Sequence, residues 1–395
     1  MFNGFLPIFV PVFLKYFNEG NPHTMTLLLF FAGLLFLIGG AELLVRGASR
    51  LATVAGISKL VIGLTVVAYG TSFPELMIST VSSMQGKADI ALGNVVGSNI
   101  FNILFILGLS AMILPLSVSR QLVRLDVPVM MGVSILLLLM ALNGTISRLE
   151  GTFLVILGAL YSWWQIRIGR DDTEKNGQNR SVPEGRKGTV KTIVINILWV
   201  VIGLLLLVAG SGWLVDGVVF IARSLGVGEL FIALVVVAAG TSLPEAATSI
   251  VAAIRKERDI AVGNIIGSNI FNILFVLGFS GLFASETLQV NPAALSFDIP
   301  FMTAATFACL PIFFTGFRIT RWEGALFLLY YIAYIVYLVL TASRHDVLYL
   351  VDAILFLFIL PITVTTLLLT TLHAVRKQRN TPGNGRRGGQ EATVE

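Results

Sequence analysis

Apolar residues in this chain come in long runs, LLLFFAGLLFLIGG and VIGLLLLVAG among them, separated by short polar stretches. A helix needs about 20 apolar residues to cross the hydrocarbon core of a bilayer, and several runs are near that length. Strands of a membrane barrel would alternate in polarity at every second residue, which these runs do not. The pattern predicts an all-α polytopic membrane protein. Its spans fall at about 26–45, 60–84, 89–113, 125–143 and 151–168, then at about 193–222, 230–254, 260–284, 297–315 and 323–341. An eleventh apolar run covers about 347–372.

The two groups of five spans are copies of one another. GTSFPELMISTVSSMQGKADIALGNVVGSNIFNILFILG from Gly70 matches GTSLPEAATSIVAAIRKERDIAVGNIIGSNIFNILFVLG from Gly240 at 23 of 39 positions, with an offset of 170. Weaker similarity reaches downstream, where LDVP at Leu125 faces FDIP at Phe297 and SRLEG at Ser147 faces TRWEG at Thr320. Five crossings per copy is an odd number, so the second copy enters the membrane from the opposite side. This predicts two inverted five-helix repeats forming a ten-helix core, as in many secondary transporters, with one extra C-terminal transmembrane helix.

Composition agrees: 56% of residues are hydrophobic and 12% charged, with a mean hydropathy of +0.87, against roughly 25% charged in a soluble chain. The net charge of +5 would suit a nucleic-acid partner, but the basic residues sit in short loops, where they set orientation instead. Placing the 169–190 linker inside puts 22 of the 27 Lys and Arg on the cytoplasmic side, leaving Lys15, Lys87, Arg148, Arg223 and Arg344 outside. The N-terminus is then out and the C-terminus in. The expected plan is an N-terminal apolar extension (1–24), a first repeat (25–168), a flexible cytoplasmic linker (169–190), a second repeat (191–343), an additional span (344–374) and a disordered tail (375–395). The compact core and short linker suit a monomer in the plasma or inner membrane of a prokaryote.

One cysteine, Cys309, and three histidines without an HExxH pattern exclude a disulfide framework, a multi-Cys metal site and zinc hydrolysis. Transport becomes the leading class, with no cofactor beyond the carried ions.

Glu75 and Glu245 stand mid-span in matching surroundings, where a carboxylate costs about 2.5–3.5 kcal/mol on the insertion scale. Pro74 and Pro244 lack the N–H that a helix would direct at Gly70 and Gly240, so the helix bends around Thr71 and Thr241 and frees carbonyls there. Carbonyls and a carboxylate together are ligands for a hard cation. The second motif places Asn94, Ser98 and Asn102 along one helix face, and Asn264, Ser268 and Asn272 along another. Gly93, Gly97, Gly263 and Gly267 form small-residue faces that admit a second helix. Ser98, Asn102, Ser268 and Asn272 are expected to face the cavity; Asn94, Asn264, Asn99 and Asn269 fit the cavity or helix-to-helix glue equally well. Two formal negative charges among neutral oxygens balance one divalent cation, or monovalent cations or protons, and oxygen-only ligation favours Ca²⁺ and Na⁺ over zinc or copper. Asp126 and Asp298 read as N-terminal helix caps rather than ligands, and Arg148/Glu150 and Arg321/Glu323 as interfacial anchors.

The paired GTSxPE and GNxxGSNIxN segments resemble the α-1 and α-2 repeats of the Ca²⁺/cation antiporter superfamily, in particular prokaryotic Na⁺/Ca²⁺ exchangers. The resemblance implies one Ca²⁺ site and several Na⁺ sites at midplane, with alternating access by sliding of the first and sixth spans. It assigns Ca²⁺ to the carboxylates of Glu75 and Glu245 and the carbonyls of Thr71 and Thr241. It assigns Na⁺ in addition to Ser72, Ser98, Ser242 and Ser268 and the carbonyls of Ala68 and Ala238, and matches Asn102 to an asparagine of the first repeat. Asn272 departs from the pattern, because exchangers carry aspartate there, and this bears on coupling stoichiometry. The expected activity is Ca²⁺/Na⁺ antiport, with Ca²⁺/H⁺ antiport using Glu75 and Glu245 as proton carriers as the runner-up. A cation channel needs a continuous pore rather than paired broken helices, and a diaspartyl protease built on Asp126 and Asp298 would leave the glutamates unexplained.

Overall fold

The computed structural model describes residues 22–176, 190–228, 232, 238–314 and 317–342. The N-terminal extension before Pro22, most of the linker, the additional span and the tail lie outside the described residues, as does much of the start of the predicted 230–254 span. Eleven helices carry the described chain: α1 (Pro22–Ala55), α2 (Lys59–Thr71), α3 (Phe73–Met84), α4 (Ala88–Ile113), α5 (Leu122–Ala141), α6 (Arg148–Asn176), α7 (Val190–Ser224), α8 (Leu243–Ile254), α9 (Arg258–Phe283), α10 (Ile299–Phe314) and α11 (Arg321–Ala342). Six are long and apolar enough to cross a membrane, or seven when α2 and α3, bent by 47° to one another, are taken as one broken span.

Helix bounds overrun the apolar runs that announced them. At 1.5 Å per residue the 34 residues of α1 extend about 50 Å, beyond the ~30 Å hydrocarbon core, so the helix tilts or projects. α6 continues to Asn176, inside the stretch expected to be a flexible linker. Hydropathy reports how much of a helix suits lipid, whereas the helix itself runs on until a breaker, as α1 does to Ala55 before Gly56 at φ 63°.

α1 and α7 run antiparallel in backbone contact. A Cβ added at Gly33 would lie 2.8 Å from the Gly210 carbonyl, at Gly40 2.8 Å from the Gly203 carbonyl, and at Gly47 3.0 Å from the Asn196 carbonyl. Heptad-spaced glycines keep one stripe of each helix bare, so the backbones approach over several turns. The small-residue face of α9 is used in the same way: Gly263 and Gly267 lie against Leu60 and Leu64 of α2. At Gly93 and Gly97 no described residue comes within 4 Å of an added Cβ.

Two short antiparallel ladders tie the halves together. β1 (Leu116–Ser117) pairs with β4 (Arg318–Ile319), and β2 (Thr145–Ile146) with β3 (Leu288–Gln289). Loops that the charge count assigns to one side meet at one end, where Arg258 donates to Ser117 at 2.9 Å and Lys59 pairs with Glu257 at 2.7 Å. Loops assigned to the other side meet too: Arg148 donates to the Ala284 carbonyl at 2.8 Å and the Ser285 N–H to the Ser83 carbonyl at 3.3 Å.

The caps differ from expectation. Asp126 lies inside its helix, because that helix starts at Leu122, where the Ser119 hydroxyl accepts the Leu122 N–H at 3.1 Å. Asn291 plays the corresponding part before Asp298, accepting the Ala293 N–H at 2.9 Å. Asp126 instead is buried, accepting from Tyr161 at 3.2 Å and from Gln165, and Asp298 accepts from Tyr334 at 3.0 Å. Glu150 and Glu323 have a local role as well. Each closes a capping box, accepting the backbone N–H of Ser147 or Thr320 at 2.7 Å, and S/T-x-x-E is the signal that was there to find.

Candidate cation-binding site

Gly-Thr-Ser-x-Pro-Glu folds alike in both halves, with the helix ending at Thr71 in the first and at Gly240 in the second. Ser72 (φ −83°, ψ 9°) and Ser242 (φ −91°, ψ 10°) leave the helical region, and the proline two residues later sits in the first turn of α3 or α8, where its missing N–H costs nothing. Glu75 and Glu245 therefore occupy the first turns of α3 and α8, at the positive ends of those helices. Both are buried, at 0% and 1% exposure.

The two halves cross over at these residues. Ser72 donates to Glu245 Oε1 at 2.8 Å, and Ser242 donates to Glu75 Oε1 at 2.8 Å or to Ser98 Oγ at 3.0 Å. Thr71 reaches Asn264 Oδ1 at 3.1 Å, and Thr241 reaches Asn94 Oδ1 at 3.2 Å. Asn94 in turn donates to Ser79 at 2.9 Å, and Asn264 to Ser249 at 2.9 Å. Asn94 and Asn264 thus brace each broken helix against its neighbour and against the threonine of the other copy. Ser79 and Ser249, buried and absent from the sequence reading, complete that brace; their signal was identity between the copies, one helical turn beyond each glutamate.

Glu75 Oε2, Glu245 Oε2, both polar atoms of Asn102, Asn272 Oδ1 and Ser268 Oγ are buried without a hydrogen-bond partner among the described residues. Neither glutamate has a Lys or Arg partner among them. Burying two carboxylates in this way is unfavourable by several kcal/mol, and the unused atoms are almost all oxygen acceptors. That donor set fits a hard cation. No group of three or more His, Cys, Asp or Glu forms among the described residues, so any metal here depends on two carboxylates and neutral oxygens.

The remaining candidates are placed as follows. Asn102 and Asn272 each stand at a π-helical turn, Phe101–Leu107 and Asn272–Leu277, an irregularity frequent at functional sites. Asn272 donates to Asn99 Oδ1 at 3.0 Å and Asn99 to the Asn269 carbonyl at 3.2 Å, so Asn99 and Asn269 join α4 to α9. The Ala68 carbonyl accepts the Ser72 N–H at 3.0 Å and lies 3.3 Å from the Thr71 hydroxyl. Ala238 lies in the helical segment Ala238–Gly240, the matching position of the second copy. Asp126 and Asp298 are each bonded within their own helix pair, to Tyr161 and Tyr334, and neither is bonded to the other. Cys309 is buried with its thiol 3.7 Å from the Ala305 carbonyl, a packing position.

Comparison with known proteins gives the same answer from outside. The family model for the sodium/calcium exchanger protein matches residues 25–167 and 195–340, the two copies. The sodium/calcium exchanger MaX1 of Methanosarcina acetivorans is 33% identical over 354 residues, covering 80% of this chain and 99% of that protein. The inner membrane protein YrbG of Escherichia coli is 37% identical over 276 residues, covering 69% of this chain and 84% of its own. A solved structure of the sodium-calcium exchanger NCX_Mj superposes with a TM-score of 0.69 and 31% identity, over 80% of this chain and 99% of that one. With both motifs duplicated, both copies matched and nearly the full length of an exchanger covered, the chain belongs to the sodium/calcium exchanger family, a group of multi-pass membrane antiporters.

Proposed function

We propose that this protein exchanges Ca²⁺ for Na⁺ across a membrane, by alternating access at a midplane site formed by Glu75, Glu245 and the neutral oxygens around them. The observation that carries the reading is the reciprocal bonding of Ser72 to Glu245 and Ser242 to Glu75, at 2.8 Å each. It joins the two copies at one centre and leaves one unpartnered carboxylate oxygen on each side. One Ca²⁺ neutralises the two carboxylates; two Na⁺ do so equally. Neither set fits while the other is bound, and mutual exclusion is what makes an exchanger rather than a leak.

The ligand set follows the motif. Glu75, Glu245 and the carbonyls of Thr71 and Thr241 hold Ca²⁺; Ser72, Ser98, Ser242, Ser268, Asn102, Asn272 and the carbonyls of Ala68 and Ala238 complete the Na⁺ positions. The architecture is a ten-helix core of inverted repeats with the run at about 347–372 as an added span, in a prokaryotic inner membrane, N-terminus out and C-terminus in. The protein works as a monomer. The relative from the E. coli inner membrane supports the location.

Asn272 supports a second reading. Without the aspartate of exchangers, the titratable groups at the centre reduce to two glutamates, which two protons neutralise as well as one Ca²⁺ does. Radiolabelled Ca²⁺ uptake into Na⁺-loaded proteoliposomes diluted into Na⁺-free medium, with a parallel pH-gradient arm, separates them. Uptake driven by the Na⁺ gradient alone is expected. Uptake driven only by the pH gradient would replace Na⁺ by H⁺, and uptake driven by neither would overturn the substrate.

A further inference from the structure

α1 and α7 stand outside the block that holds the cation site. Of their apolar stretches 33% and 28% are buried, against 72% of α4 and 94% of α9. The two are joined to each other along the glycine seam, and α1 also packs along α8, whose first turn carries Glu245. In an inverted repeat the mirrored pair, α7 and α3, would do the same. Among the described residues α7 does not pack along α3 in this way. Ile78 of α3 is 43% exposed, whereas Thr248, its counterpart on α8, is fully buried. The described arrangement has α8 covered by α1 and leaves α3 bare of α7.

Polar side chains fasten α1 in that position at the β1–β4 end. Arg255, which ends α8, donates from Nε to Glu42 Oε2 of α1 at 2.8 Å, and its Nη2 lies 2.5 Å from Glu42 Oε1. Lys256, left-handed at φ 63°, turns the chain toward α9. Beyond that turn Glu257 accepts from Ser49 of α1 at 2.9 Å and from Lys59 of α2 at 2.7 Å. Glu42 and Ser49 are one heptad apart, so both contacts fall on one face of α1. Between them the junction is not filled by side chains: a cleft of about 260 Å³ remains, lined by Arg46, Ser49, Arg50, Arg255 and Glu257. α1 is held here at points rather than by close packing.

These contacts have no copy at the other end of the bundle. Gly212 and Gln85 stand where Glu42 and Arg255 do, and Val219 and Lys87 where Ser49 and Glu257 do. Lys87 there donates to Gln85 at 3.1 Å. The charged side chains of the β1–β4 junction are a quarter to a half exposed, and ion pairs of that kind add little to the stability of a fold. They weigh more when two helices take two arrangements. A contact made in one arrangement and broken in the other acts with its whole strength on the balance between them.

We infer that Glu42–Arg255 and Ser49–Glu257 form a latch that holds α1 across α8 and keeps the cation site closed from the β1–β4 end. The four side chains are positioning residues for exchange. Ten residues of α8, about 15 Å of helix, separate Arg255 from Glu245, so the latch touches no carried ion. To admit ions from the β1–β4 end α1 has to leave α8, and both contacts break together because they share one face of one helix. With nothing equivalent at the opposite end, the latch biases the protein toward the arrangement described here. Its effect on exchange rests on the alternating-access reading; the hold on α1 does not.

Three measurements test it. In the first, Glu42→Cys and Arg255→Cys are combined, with buried Cys309 left in place, and joined by a reducible bis-methanethiosulfonate linker about as long as a Glu–Arg pair. The tethered protein is expected to lose Na⁺-driven Ca²⁺ uptake and to regain it on reduction; full uptake while tethered overturns the latch. In the second, uptake is measured in oriented vesicles. Glu42→Gln and Arg255→Gln are each expected to lower the Ca²⁺ concentration for half-maximal exchange several-fold at the β1–β4 face and to raise it at the opposite face. Glu42→Arg combined with Arg255→Glu is expected to bring both values back toward the wild type, a rescue that a purely structural role would not give. Wild-type half-saturation on both faces in the single variants, or no rescue in the swapped pair, overturns the latch. Ser49→Ala, which removes one hydroxyl, is expected to act in the same direction and serves if the Glu42 variants do not fold. The third needs no transport: the rate at which the linker joins the two cysteines is expected to fall several-fold when Glu257→Gln is added. An unchanged rate overturns the latch. A fallen rate in a protein without Na⁺-driven uptake retains the hold on α1 and rejects the exchanger reading alone.

Discussion

Ser72 donates a 2.8 Å hydrogen bond to Glu245, a residue 173 positions further along the chain. Its mirror, Ser242 to Glu75, has the same length. Each copy therefore supplies the hydroxyl that supports the carboxylate of the other.

Replacing either carboxylate separates folding from function. Glu75→Gln and Glu245→Gln are expected to remove Ca²⁺ transport, because one remaining charge does not balance a divalent cation. Each should match or exceed the wild type in thermal stability without cations, since a buried unpaired charge has been removed. A calorimetric scan beside a flux assay checks both; near-normal flux in the well-folded double variant would contradict the site.

Ser72→Ala and Ser242→Ala each remove one donor from a buried carboxylate, an interaction of about 1.5–3 kcal/mol. Both are expected to fold and to raise the Na⁺ concentration for half-maximal exchange by similar factors, on the order of tenfold or more. A large effect from one and none from the other would break the symmetry argued here.

How much of this the sequence displayed depends on the kind of relation. Equivalence was legible: an offset of 170 paired Glu75 with Glu245 and Asn102 with Asn272. Contact was not, because a repeat says which residues correspond and leaves open which ones touch. The crossing of Ser72 to Glu245, and of Thr71 to Asn264, is a property of how the copies dock. The bend at Ser72 was readable because Pro74 dictates it locally. Asp126 was misread as a cap because apolarity marked its span from 125, whereas the helix starts at Leu122, where Ser119 caps it.

Asn272→Asp restores the carboxylate usual in exchangers at that place. Asn272 uses its amide to bind Asn99 at 3.0 Å, a bond a charged aspartate does not make. The substitution is expected to change the Na⁺ or H⁺ dependence of flux more than Ca²⁺ binding. Flux measured against membrane potential gives the coupling ratio, and an unchanged ratio would remove any role for this position in coupling.

Gly203→Ala is a test of the α1–α7 seam. The added Cβ would lie 2.7 Å from the Leu44 nitrogen and 2.8 Å from the Gly40 carbonyl, so the helices have to separate. A loss of about 1–3 kcal/mol is expected, as for other overpacked contacts. Gly212→Ala on the same helix, with nothing beyond its own helical backbone within 4 Å among the described residues, is the control and is expected to lose no stability, gaining about 0.5–1 kcal/mol at most.

Lys256 holds a left-handed backbone at φ 63°, where the first copy has Gly86 at φ 74°. A side chain there costs about 1–2 kcal/mol, so Lys256→Gly is expected to raise the midpoint of thermal unfolding by a few degrees. No change would place the strain elsewhere.

The most direct test of the central claim, that Glu75 and Glu245 together form one centre for which Ca²⁺ and Na⁺ compete, is equilibrium binding of radiolabelled Ca²⁺ to the purified protein across a Na⁺ titration, repeated with Glu75→Gln and Glu245→Gln. The account predicts one saturable site, displaced by Na⁺ with a cooperative profile and lost in either variant. Bound Ca²⁺ that survives both substitutions, or that excess Na⁺ leaves in place, would contradict it.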